Sequence, residues 1–137
     1  MPTLNVFRIL VIASVAIAFC GGFLDLVVPE MIPKSIDDAY NEYLDSRLES
    51  IGGMYIVAIA LGVFIILLSI ATFGMLKLKR WGRSLAFGGT IITFPALPAL
   101  GVLVQSGWAN MLSELSISLW AAAITIAYFS ELKTQFE

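Results

Sequence analysis

Apolar residues in this chain come in long uninterrupted blocks, and the charged positions mark where each block ends. Four stretches carry no charge at all: residues 9–24, 50–76, 84–113 and 115–130, of 16, 27, 30 and 16 residues. A hydrocarbon layer about 30 Å thick takes about 20 mostly apolar residues per helix. Four spanning helices are therefore predicted, at about residues 4–24, 51–75, 84–104 and 112–130. The two shorter blocks reach this length by extending past one peripheral charge each, Arg8 in the first and Glu114 in the fourth.

Between the first two blocks the pattern changes. After Pro29 and Pro33, which discourage continued helix, Ser35-Ile36-Asp37-Asp38 reads as a capping box that opens a helix over about residues 35–50. Ile36, Tyr40, Tyr43, Leu44, Leu48 and Ile51 recur at helical spacing, while Asp38, Glu42, Asp45 and Glu49 fall on the other face. This amphipathic helix is expected to lay its Tyr/Leu side on the bundle's outer end or the lipid interface, and Gly52-Gly53 gives a bend before the next span. The acidic stripe is a candidate cation-attracting face. Its bland reading is a solvated surface, because a hard cation wants six to eight oxygens converging from a shaped loop.

Charge then sets the orientation. Arg8, Lys77, Lys79, Arg80, Arg83 and Lys133 are six of the eight basic residues, and all fall on one side of the four-span scheme. The positive-inside rule makes that side cytoplasmic, so both termini and the link 77–83 are expected inside. The first loop, residues 25–50, has seven acids against Lys34 and Arg47 and faces out. Trp81, Trp108, Tyr128 and Phe129 stand at the expected span ends, as an aromatic belt requires.

Composition agrees and narrows the chemistry. Of 137 residues, 59% are hydrophobic and 13% charged, where a soluble domain is about a quarter charged. With no histidine, the chain cannot supply imidazole to a haem, a typical zinc site or a Ser-His-Asp relay. One cysteine, Cys20, cannot make an internal disulfide or a CxxC pair. Arg8 and Ala16-Ile17-Ala18 imitate a signal-peptidase site, but a retained first helix is expected; lipoprotein processing at Cys20 is not expected either, since the bulky Phe19 stands where a lipobox wants a small residue. The net charge of −2 argues against a general nucleic-acid binder. No cofactor and no enzyme activity are expected.

Within the spans, three features are candidates. Ser14, Ala18 and Gly22, and again Ala58 and Gly62, form small-residue ladders suited to helix packing. Pro95 and Pro98 each remove a helical hydrogen bond and mark a candidate helix break. Asp25 and Glu114, near the same outer end, would flank the mouth of any path through the bundle. On the inner side, Lys77, Lys79, Arg80, Trp81 and Arg83 are candidate contacts for anionic lipid.

Leu24-Asp25-Leu26-Val27-Val28-Pro29 closing the first span, Ser46-Arg47-Leu48-Glu49-Ser50-Ile51-Gly52-Gly53-Met54-Tyr55 opening the second, and the basic link ending in Gly82-Arg83 carry a resemblance to the DoxX-like group of small bacterial four-helix membrane proteins. The resemblance implies at most a membrane subunit beside respiratory or quinone-linked enzymes, and it transfers no catalytic residue. The expectation is thus an all-α integral membrane four-helix bundle of a bacterial cytoplasmic (inner) membrane. It would act as a non-catalytic packing or assembly component, partnered by the lipid bilayer, by copies of itself or by a larger membrane complex. A small oligomeric carrier or channel, and a lipid- or quinone-associated enzyme subunit, are the other two readings.

Overall fold

The computed structural model describes residues 2–50, 54–100 and 104–136. Among them every regular element is helical: α1 (Pro2–Val27), α2 (Lys34–Ser50), α3 (Met54–Leu76), α4 (Arg80–Leu100) and α5 (Gly107–Phe129), with short 3-10 segments at Pro29–Met31 and Glu131–Gln135. The side chains of Pro2, Pro29 and residues 47–50, 54–58, 60–61 and 94–100 lie outside those described, as do Gly52, Gly53 and Gly101 entirely. α1 and α5 are each long and apolar enough to cross a membrane, over Thr3–Val27 and Gly107–Phe129. In α3, the stretch Gly62–Leu76 is apolar but shorter.

α1 and α5 form the most extensive helix pair, antiparallel. Along α1 the seam runs through Phe7, Val11, Ser14, Ala18, Gly21 and Asp25, steps of four and three residues that keep one stripe facing one partner. Small residues answer from α5, where Ala109, Ser116, Ala123 and Ala127 are buried. A Cβ on Gly21 would meet Leu112 Cβ at 3.2 Å and the Ala109 carbonyl oxygen at 3.3 Å, so the missing side chain is what lets the helices approach. This corrects the ladder read from sequence: Ser14 and the half-buried Ala18 are in the seam, but Gly22 is exposed, with no described atom within 4 Å of its Cβ position. Successive steps of four drift around the helix, whereas alternating four and three do not. On α3, no described atom lies within 4 Å of a Cβ placed on Gly62, and the side chain of Ala58 is outside the described set.

α3 and α4 form the second pair, a hairpin closed by a tight turn. The Lys79 N–H donates to the Gly74 carbonyl at 2.9 Å and the Leu78 N–H to the Met75 carbonyl at 3.0 Å, with Leu78 at φ 54°. That is the Schellman pattern, with leucine at the left-handed position glycine usually takes. Leu78 packs against the core, which offsets its backbone strain. Just beyond, a Cβ on Gly74 would stand 2.6 Å from Gly82 Cα, so backbone meets backbone where the hairpin begins.

The buried core lies at the end of the bundle that holds this turn. Phe7 and Val11 of α1, Ala71 and Met75 of α3, Ala86 of α4, Ala123 and Ala127 of α5, and Leu132 and Phe136 of the last segment make it up. The two helix pairs touch each other over far less surface than the members of each pair do.

Several helix ends differ from expectation, among them α4, which begins at Arg80 rather than 84, and two starts have a visible cause. α2 opens on Pro33, whose carbonyl accepts the N–H groups of Ile36 and Asp37 at 2.9 and 3.1 Å, two residues before Ser35 would cap it. α5 starts at Gly107 rather than 112, because the Ser106 hydroxyl accepts the Ala109 N–H at 3.2 Å. The fourth long apolar helix is therefore five residues longer at its start, and Glu114 sits inside it. α4 continues as helix through Pro95 and Pro98, so the expected break is not a departure from helical backbone.

Candidate functional site

The two helix pairs leave a cleft of about 480 Å³ between them. Ser14, Val15 and Ala18 come from α1, Phe64, Leu67, Leu68 and Ala71 from α3, Thr90, Ile92 and Thr93 from α4, and Ser116, Ile117, Trp120 and Ala121 from α5. Gly88 and Gly89 leave room on the α4 side, since a Cβ on either would meet no described atom within 4 Å. Ile92, Ile117 and Phe64 on its rim are 70%, 64% and 42% exposed, so the cleft is open at the surface.

Four of the hydroxyls in its wall, those of Ser14, Ser116, Thr90 and Thr93, are engaged with helix backbone, whereas that of Ser84 has no bond among the described residues. Ser14 donates to the Val11 carbonyl at 2.9 Å and Ser116 donates across to the Ser14 carbonyl at 2.8 Å. Thr90 donates to Ala86 and Thr93 to Gly89, each at 2.9 Å. The Trp120 indole N–H reaches Thr90 Oγ1 at 3.1 Å, tying α5 to α4 across the cleft. Ser and Thr hydroxyls within helices commonly bond back to a carbonyl three or four residues earlier or across to a neighbouring helix.

Charged residues tie the bundle at both ends. At one end Asp25 Oδ2 accepts the Ser106 N–H at 2.9 Å, holding the start of α5 to the end of α1, while its Oδ1 is buried without a hydrogen-bond partner among the described residues. A carboxylate suits the positive end of the α5 dipole. At the other end Arg83 donates from Nη1 to the Ala127 carbonyl at 3.1 Å and lies over the rings of Tyr128 at 4.5 Å and Phe136 at 5.2 Å. Arg80 Nε donates to the Phe136 carbonyl at 3.1 Å, and the Phe7 ring meets Phe136 edge-on at 5.9 Å. Of the basic link, then, Arg83 and Arg80 bond into the fold, whereas Lys77, Lys79 and Trp81 are exposed. Sequence reasoning did not single out Leu132 and Phe136, the two large apolar residues of the polar run 130–137, both of which are buried.

Asp25 and Glu114 do not share a mouth. Eight residues of helix separate Ser106 from Glu114, about 12 Å along the axis. Glu114 is exposed and accepts from Asn110 Nδ2 at 3.2 Å, away from the α1 seam where Asp25 lies. On α2, Asp38, Glu42 and Asp45 are exposed, Tyr40 and Tyr43 stack at 6.5 Å, and the Glu49 side chain is outside those described. The expected docking of α2's Tyr/Leu face on the bundle is not an extended contact: among the described residues α2 packs along no other helix. No three His, Cys, Asp or Glu side chains converge on a metal-sized point among the described residues.

Compared with family models, curated proteins and solved structures, the chain matches none.

Proposed function

We propose that the protein is a four-span membrane component of the bacterial inner membrane. In this reading α1, α3, α4 and α5 all cross the bilayer, the link 77–83 and both termini are cytoplasmic, and the protein works by joining its own copies or a larger complex. The DoxX-like resemblance supports the same role, a membrane subunit beside an enzyme.

One observation carries the reading: the side of α5 turned away from α1 is its most polar. Gly107, Met111, Glu114, Ser118, Ala121 and Thr125 follow one another at steps of four and three, and all are exposed. Trp108 and Phe129 are 64% and 87% exposed at the two ends of the helix. Their separation of 21 residues is about 31 Å, matching the hydrocarbon thickness. Glu114 then lies about 9 Å inside the Trp108 level. A carboxylate facing lipid there is costly, and ionisable groups at such depth normally face protein. A second transmembrane helix on this stripe would cover Glu114 and Asn110, and the small residues would let it come close. By contrast, Asp25, Arg80, Arg83, Ser116 and Trp120 already hold the bundle's own helices together.

Native mass spectrometry of the protein extracted in mild detergent tests this. An oligomer or a stoichiometric co-purifying membrane protein is the expected result; a strictly monomeric, partner-free protein overturns it.

A further inference from the structure

We infer that the cleft between the two helix pairs is a binding site for one hydrocarbon chain, the acyl chain of a bilayer phospholipid entering from the side. The inference rests on the membrane reading above, but not on assembly.

The cleft's size, about 480 Å³, falls within the range of ordinary ligand pockets. Its wall is built from Val15, Phe64, Leu67, Leu68, Ile92 and Ile117, with Gly88 and Gly89 clearing the α4 side. Water has little reason to fill it, since a buried water needs two to four polar partners and an apolar cavity stays dry and takes apolar guests. The hydroxyls of Ser14, Ser116, Thr90 and Thr93 already donate to backbone carbonyls, and the Trp120 N–H already donates to Thr90. Ser84 carries the one hydroxyl of the wall without such a bond among the described residues, and a lining this nearly apolar suits a plain chain better than a quinone head, whose two ring carbonyls both call for donors. The rim residues Ile92, Ile117 and Phe64 are exposed, and in a bilayer exposed means lipid-facing, so the chain has a way in without crossing a polar layer. Filling the space also restores the dispersion contacts that an empty apolar cleft forfeits.

Trp120 stands in the cleft wall and reports on its contents. With Trp81→Phe in place, variants keeping Trp108 alone or Trp120 alone would be reconstituted in phosphatidylcholine vesicles whose acyl chains carry bromine near the glycerol or near the methyl end. Shallow bromines should quench Trp108, deep ones should quench Trp120, and Gly89→Leu should remove most of the Trp120 quenching while leaving that of Trp108 unchanged. Leucine favours helix over glycine, so the substitution does not threaten α4 itself; should it fail to fold, Val15→Phe narrows the cleft from the α1 wall. Native mass spectrometry should find a phospholipid retained by the wild-type protein and lost from the filled variant. Trp120 unquenched, or quenched equally with and without the filling residue, overturns the site, and a retained polyprenyl mass overturns the acyl assignment. If Trp108 too escapes quenching, the membrane reading falls instead.

Discussion

The carboxylate of Asp25 is bonded to the backbone N–H of Ser106, 81 positions away, at 2.9 Å. Ser106 is also the N-cap of α5, its hydroxyl taken up by Ala109. Two acceptors therefore serve one helix start, one from its own cap and one from the end of α1. Hydrogen bonds to charged groups contribute about 1.5–3 kcal/mol. Asp25→Ala should lower stability by about 1–2 kcal/mol, in the range measured for lost helix caps. Asp25→Asn, which keeps an acceptor oxygen, should lose less. Denaturant titration of the detergent-solubilised protein, followed by circular dichroism, checks both; equal losses would show that the charge alone matters.

Gly74 and Gly82 fix how closely α3 and α4 begin. A Cβ on Gly82 would stand 2.7 Å from the Met75 amide nitrogen, and one on Gly74 would reach the Trp81 ring as well as the Gly82 backbone. Backbone atoms cannot rotate aside. Gly82→Ala should destabilise by about 1–3 kcal/mol, the usual cost of overpacking. Gly88→Ala, on the same helix but in open space, should be neutral or stabilising through helix propensity. Thermal unfolding of the pair in one detergent separates them, and a loss in Gly88→Ala of the same size would refute the packing account.

Arg83 holds the C-terminal segment against the bundle. Its guanidinium donates to the end of α5 and covers two rings, and the segment buries Leu132 and Phe136 in return. Lysine cannot reproduce a planar fork that bonds and stacks together. Arg83→Lys should therefore cost about 1–3 kcal/mol, from the lost stacking and the lost charged hydrogen bond. Hydrogen exchange should show the backbone of 130–136 opening first. Unchanged protection there would sink the idea.

Much of this arrangement is written in the sequence, and the departures have physical causes. Blocks of uncharged residues located the long helices because burial in any apolar medium forbids charge along most of a helix. Helix starts were harder: Ser106 is a good cap, yet counting from Glu114 placed the last long helix five residues late. A charge marks where a span is inconvenient, not where a helix begins. The packing ladder failed at its third rung for a geometric reason, since the seam of α1 alternates four and three and so arrives at Gly21. Arg83 looked like a surface charge beside Lys77 and Lys79, and only the folded chain brings Tyr128 and Phe136 to its faces. The cleft was not legible at all, because it depends on how two helix pairs lean on each other.

The outward stripe of α5 makes the sharpest periodic prediction. A second helix laid on it has Met111, Ser118 and Thr125 in the contact, whereas Leu115, exposed but off the stripe, serves as the control. In a Cys20→Ser background, which removes the exposed native thiol, single cysteines at these four positions would be oxidised in the membrane. Cβ atoms must come within about 3.5–4.5 Å to form a disulfide, so only seam positions of adjacent copies should link. Met111→Cys, Ser118→Cys and Thr125→Cys should give dimers, and Leu115→Cys should not. An intact oligomer with no such rhythm would move the interface elsewhere, whereas a partner of different sequence would leave all four uncrosslinked and appear as a separate mass. Glu114→Leu tests the same face from the other direction. It removes the group that most needs cover, so the separated form no longer bears the cost of a lipid-facing carboxylate. The variant should remain inserted while its association weakens severalfold, measured by dilution in lipid with a fluorescent label; unchanged association would place Glu114 outside the contact.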